Sequence, residues 1–222
     1  MKIHEIFPIL IAQDKVDNHD EFKENYYDDL QSLWWNGYEN KTPEHSERTS
    51  LHLKPEFNFI FESIGRSVRR YLELMEVNHQ IFHVNITKSW IGYADRNTPP
   101  LTLHLHNDCD ISFCYYISCD STSDKFCLHN YNNMNEISGQ LFEVNKKHNT
   151  IKKFNKYNCD RYTISPQEGT ILIFPSQLQH STLKKENLED RYCLIGDIKL
   201  CLKPEHNIHH QSCPHPSLWL EL

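Results

Sequence analysis

From about residue 78 onward the chain consists of apolar or alternating runs of strand length divided by turn-formers. This succession is what most narrows the folds open to it. The runs are Ile81–Tyr93, Leu101–His106, Ile111–Ser118, Gln140–Val144, Tyr162–Ile164, Thr170–Phe174 and Tyr192–Leu202. Between them stand Asn97-Thr98-Pro99-Pro100, Asn107-Asp108 and Ser165-Pro166-Gln167-Glu168-Gly169. Proline presets φ, glycine supplies positive φ and Asx side chains bond their own backbone, so each cluster predicts a turn. Ahead of this region, Ile6 to Ala12 predicts an edge strand, because Pro8 has no N–H to donate. Phe22, Tyr26, Leu30, Leu33 and Trp34 keep helical spacing over Asn18–Trp35, with Asn36-Gly37 to end the helix. A second helix has Pro55 near its start and a stripe of Phe57, Ile60, Phe61, Ile64, Val68, Tyr71, Leu72 and Met75, running to about Glu76. Two helices followed by many strands predict an α+β fold, mainly β: a sandwich or barrel with the N-terminal helices packed outside. We read residues 1–222 as one domain, with an N-terminal strand and helices over 1–78, a β core over 79–202 and a His-rich tail over 203–222. Asn130–Glu136 and the lysine-rich Asn145–Tyr157 read as exposed loops.

The length of 222 residues suits one sizeable domain. A net charge of −7 opposes phosphate backbones and anionic lipid, so no nucleic-acid or membrane partner is expected. The apolar runs fall short of the roughly 20 residues of a spanning helix, and Met1–Pro8 does not read as a secretory leader. A cytoplasmic protein is therefore expected. Its eight cysteines form no CxxC pair and read as free thiols, several at small buried strand positions.

Fifteen histidines is an unusual number, and their spacing is informative. In Leu101-Thr102-Leu103-His104-Leu105-His106-Asn107-Asp108 an extended backbone would point His104 and His106 to one face. Alternatively His106 and Asp108 share a face, if the strand runs that far. Either pair offers two metal ligands, and His180, beyond Phe174-Pro175-Ser176, is the candidate third. Eleven residues later Arg191 opens another apolar strand, and its guanidinium could hold a carboxylate through two parallel hydrogen bonds. Two histidines and a carboxylate that leave coordination positions open are what a non-haem Fe(II) oxygenase uses. An HxH pair can also arise by chance in so histidine-rich a chain, and an arginine opening a strand is often a surface ion pair.

The chain resembles the 2-oxoglutarate/Fe(II)-dependent oxygenase superfamily, in particular its uncharacterised family with an "IFP" opening. Ile6-Phe7-Pro8 matches that opening, and Trp90 matches a tryptophan on the strand before the histidines. The family's HxHPxxxLSGxYY block falls on His104 to Tyr116, GxxxxFPSxxxH on Gly169 to His180, and RxSxxxN on Arg191 to Asp197. The resemblance implies a double-stranded β-helix (jelly-roll, cupin-like) core. It also implies Fe(II) on His104, His106 and His180, with the His106/Asp108 scheme left open. Arg191 would grip the distal carboxylate of 2-oxoglutarate, with Tyr116 and Ser112 beside the co-substrate. The implied reaction is oxygenation, most often hydroxylation, of an amino acid, a peptide side chain or another small metabolite by O₂, with 2-oxoglutarate decarboxylated to succinate. The Ala94–Pro100 region and the long Asp120–Gly139 loop are the expected substrate-facing segments.

The departures that matter most are Asn107 for proline, Phe113 for glycine, Cys193 for serine and Asp197 for asparagine. Phe113 is expected to add bulk beside the metal strand and narrow the pocket. Three rivals stand beside the oxygenase reading: a three-histidine dioxygenase that needs no 2-oxoglutarate, a non-catalytic jelly-roll binding protein, and a zinc-stabilised structural protein. The cluster Cys201…His206…His209-His210…Cys213-Pro214-His215 fits no closed zinc spacing and reads as an exposed tail. Oligomeric state is left open, a homodimer included.

Overall fold

The computed structural model describes residues 1–2, 4–5, 8–39, 49–130, 138, 140–206 and 216–219. The short strand β1 (Ala12–Lys15) leads into helix α1 (His19–Glu39) and, after two single 3₁₀ turns, helix α2 (Asn58–Leu74). The long strand β2 (Phe82–Ala94) follows, then β3 (Ile111–Ser118), β4 (Phe126–His129), helix α3 (Leu141–His148), β5 (Arg161–Ile164), β6 (Thr170–Pro175), β7 (His180–Thr182) and β8 (Arg191–Leu202). The strands form two antiparallel sheets. The larger has the order β1-β6-β3-β8-β2 and the smaller β5-β4-β7. The non-consecutive order and the two facing sheets make a mainly β jelly roll, with α1 and α2 on the outer face of the larger sheet.

Strand alternation explains how one sheet serves two cores. Ile111, Phe113, Tyr115 and Ile117 of β3 face the helices, where Phe22, Leu30, Ile60, Ile64, Val68, Tyr71 and Leu72 meet them. The stripe on α2 is buried as its spacing predicts except at Met75, which stands exposed just past the helix end, and each buried side chain contributes on the order of 1.5–3 kcal/mol by leaving water. Cys114 and Tyr116 point the other way, into a smaller cluster with Leu172, Phe174 and Cys193 from the large sheet and Phe126 and Leu128 from the small one. Buried on both faces, β3 reads as a continuous apolar run rather than an alternating one. Gly169 turns the chain into β6 at φ 76°, in the left-handed region that favours glycine.

Several expectations need correction. The first strand lies at Ala12–Lys15 rather than Ile6–Ala12, though it does take a sheet edge against β6; Ile6 and Phe7 lie outside the described residues. Helix α1 continues through Gly37 to Glu39 instead of stopping at Asn36-Gly37. Gln140–Val144 is not a strand but the start of α3, whose Lys146, Lys147 and His148 oppose the negative C-terminal end of the helix dipole. Leu101–His106 forms no regular strand. It joins the smaller sheet at one bridge, His104 against His180, with Leu101 and Leu103 half exposed. Strands β4 and β7, with four and three residues, are too short to announce themselves by alternation.

Phe113 does not narrow the metal-side pocket. It is fully buried on the helix side of the larger sheet, directly opposite Gly196 of β8. A methyl group on Gly196 would lie 2.5 Å from Phe113 Cζ, so the ring fills the space that a β-carbon would need. Among the described residues no two cysteines are joined by a disulfide. Of the C-terminal cluster, Cys201 is buried in β8 and His206 is exposed in a short 3₁₀ turn, while His209, His210, Cys213 and His215 lie outside the described residues. No described helix is long and apolar enough to cross a membrane.

Candidate metal centre

Three imidazoles from two distant stretches of chain meet between the sheets. His104 and His106 come from the extended segment before β3, and His180 opens β7. Reciprocal backbone bonds lock the two stretches together: His104 N–H donates to His180 O (3.1 Å), His180 N–H to His104 O (2.9 Å) and His106 N–H to Ser176 O (3.0 Å). Ring centroids lie 4.2 Å apart for His104 and His180, 5.1 Å for His106 and His180, and 5.3 Å for His104 and His106. One ring nitrogen from each falls within 4.8 Å of the others.

The other nitrogen of every ring is already bonded. His104 Nδ1 sits 2.8 Å from Thr102 O, His180 Nδ1 2.9 Å from Leu178 O, and His106 Nδ1 2.5 Å from Asp197 Oδ1. Each oxygen is an acceptor, so each Nδ1 carries a hydrogen, and Nε2 is the nitrogen left to bind a metal whenever the ring holds a single proton. Three imidazoles turned this way form a donor set that fits a divalent transition-metal ion. Burial drives His180 down to about 4, against the opposing pull of the Leu178 carbonyl, so its ring is neutral at physiological pH. Phe126 and Phe174 pack on His180 with centroids 5.3 and 5.0 Å away, and half-buried Trp90 lies 5.6 Å from the His106 ring.

Asp197 and Ser112 stand behind the triad. Ser112 Oγ lies within hydrogen-bond distance of Asp197 Oδ1 (2.8 Å), Ser176 Oγ (3.0 Å) and His106 Nδ1 (3.1 Å). Burial pushes the Asp197 carboxyl up, but the hydrogen bond and charge of His106 outweigh it and hold the group below its ordinary range. His106, Cys109 and Asp197 form a second close group of potential ligands. It shares His106 with the triad, and in it Asp197 bonds His106 Nδ1. Asp108 is exposed at φ 65° and takes no part in either group.

Arg191 points inward, its side chain 14% exposed, on the same face of β8 as Cys193, Ile195 and Asp197. Its Nη1 donates to Asp124 Oδ1 at 3.1 Å, and the opposite oxygen of Asp124 accepts from Lys185 Nζ at 2.8 Å. Tyr116 and Cys114 are buried close to the guanidinium, whose charge acts on both. Reading the sequence missed Asp197, Asp124, Lys185 and Ser176 as parts of this assembly. Asp197 had a usable signal: counting by twos from Arg191 along the apolar strand places an aspartate on the inner face. Asp124 and Lys185 lie in loops and carried no such signal.

Solved structures share the fold. The nickel complex of the non-haem monooxygenase ThoJ superposes with a TM-score of 0.57 at 8% identity, over 85% of this chain and 73% of that one. A prolyl-4-hydroxylase from Pseudomonas putida superposes at 0.52 and 10% identity, over 85% and 87%. The chain spans 59% of the length of an oxidoreductase of the 2OG-Fe(II) oxygenase family from Burkholderia pseudomallei, which covers 66% of this chain at 13% identity and a TM-score of 0.46. No curated relative matches. The fold is the jelly roll of the 2-oxoglutarate oxygenases. Residues 88–197, from Lys88 beside Trp90 to the Asp197 that supports His106, match the model of the family described as "Putative 2OG-Fe(II) oxygenase".

Proposed function

We propose that the chain is an Fe(II)- and 2-oxoglutarate-dependent oxygenase that hydroxylates an amino acid, a peptide side chain or another small metabolite. The observation that carries this reading is the convergence of His104, His106 and His180 with every Nδ1 hydrogen already committed. Bound on the three Nε2 atoms, ferrous iron would supply open positions for a chelating 2-oxo acid and O₂, and with them the oxidation of a C–H bond. The protein's part is to hold and to exclude. Asp197 keeps His106 in the ligating tautomer and raises its basicity. Phe126 and Phe174 fix the His180 ring and keep water from its buried side. Arg191 receives the far carboxylate of the co-substrate, with Tyr116 against its flank. Ser112 acts through His106 and Asp197 rather than by touching the co-substrate. The Ala94–Pro100 segment selects the prime substrate, whereas Asp120–Gly139 is not the single long loop its sequence suggested, since it contains β4 and the buried Asp124.

Anaerobic titration with Fe(II) and 2-oxoglutarate tests metal, co-substrate and open coordination together, through the weak visible charge-transfer band of the chelate. A protein that binds Fe(II) but develops no band and releases no succinate contradicts the proposal. One observation favours a second reading, a three-histidine dioxygenase that uses no 2-oxo acid: Asp124 already occupies part of Arg191. Substrate oxidation without succinate release would mark that enzyme.

A further inference from the structure

Lys185, Asp124 and Arg191 form a buried unit whose charges do not cancel. The side chains of Asp124 and Lys185 are 0% and 2% exposed, and that of Arg191 is 14%. Asp124 is fully engaged: Oδ1 accepts from Arg191, and Oδ2 accepts from Lys185 and from the backbone N–H of Asp120 at 3.0 Å. Among the described residues no second carboxylate bonds to either cation, and Asp120 acts on Lys185 only through space from a solvent-facing position. Two cations on one carboxylate leave one positive charge in excess, and burying an uncompensated charge is costly. The loop lysine is closed off from solvent, whereas the guanidinium uses one N–H on Asp124 and stays 14% exposed.

We infer that Lys185 and Asp124 set the affinity of the anion site at Arg191: Asp124 cancels one of the two cations, and Lys185 supplies the surplus positive charge that a ligand carboxylate neutralises. This rests on the proposed function and adds to it, since Lys185 lies in the β7–β8 connection and Asp124 between β3 and β4, both outside the HxH, His180 and Arg191 positions that the family motifs mark. Neither residue touches the ligand. Their effect is through the field at Arg191, so affinity should follow net charge rather than the loss of any one contact.

The test is calorimetric titration of 2-oxoglutarate into the Ni(II)-loaded full chain and its variants, alongside Ni(II) affinity and melting temperature. Lys185→Met removes the surplus charge and should weaken 2-oxoglutarate binding by about tenfold or more, with Ni(II) affinity unchanged. Asp124→Asn adds a charge and should tighten binding. The double variant restores a single net positive charge and should return to within about threefold of the original. If Asp124→Asn fails to fold, Lys185→Met and the double variant still decide the matter. Lys185→Met binding within about twofold of the original, or both single variants weakening binding alike, would show a purely structural role and overturn the inference while leaving the proposed function standing. An unmodified chain that binds Ni(II) but not 2-oxoglutarate would overturn both.

Discussion

At the scale of single residues, the histidine tautomers carry most of the chemistry. A bare HxH pair tells little, because a surface imidazole is free to present either nitrogen. Here two backbone carbonyls and one carboxylate each take an Nδ1 hydrogen, and the choice is made before any ligand arrives. His180→Ala should abolish Fe(II) binding in a chelator-competition titration while far-UV circular dichroism stays unchanged, because the loss falls on one wall of the pocket. A cooperative loss of secondary structure in that variant would point instead to a metal required for folding. Asp197→Asn should lower metal affinity by roughly 10–100-fold, the usual effect of removing a carboxylate behind a ligating histidine. The same competition titration reads it, and an unchanged affinity would show that the carbonyl-held pair, His104 and His180, suffices.

At the scale of elements, the pairing of β3 with β8 shows how the larger sheet keeps two faces in register. Phe113 lies opposite Gly196 and Ser112 opposite Asp197, so consecutive pairs serve the helix-side core and the histidine cluster. A one-residue slip would exchange those faces. Gly196→Ala should destabilise the protein by about 1–3 kcal/mol in urea denaturation, since the new methyl meets both Phe113 and the Lys88 carbonyl. Adding Phe113→Leu should recover part of the loss; no recovery would locate the clash at the Lys88 backbone. The Leu101–His106 segment makes a different point about elements. It holds two of the three imidazoles by a single bridge and a few backbone bonds, without the regular ladder that its alternating sequence suggested.

At the scale of the whole molecule, Asp124 ties together parts of the chain 61 and 67 residues apart through Lys185 and Arg191. Asp124→Ala strands two buried cations, and breaking such a pair from one side costs about 3–5 kcal/mol. Chemical denaturation at neutral pH should show a loss of that order; a loss below about 1 kcal/mol would mean that water reaches the cluster.

Much of this architecture was legible before any coordinates. The α2 stripe, the β3 and β6 runs and the strand opening at Arg191 all report local periodicity, which needs no knowledge of a partner. His104, His106 and His180 were legible as a set because strand spacing and motif order both pointed to them. What the chain alone left open was every feature that depends on who sits opposite: β4 and β7, too short to show a period; Phe113, whose side of the sheet depends on Gly196; and the Lys185–Asp124–Arg191 unit, drawn from three loops and strand ends. Alternation along a strand is written in the sequence because the pleat repeats every two residues. Pairing across strands, and the balance of buried charge, are decided by contacts between residues far apart in the chain, and only the folded protein brings those together.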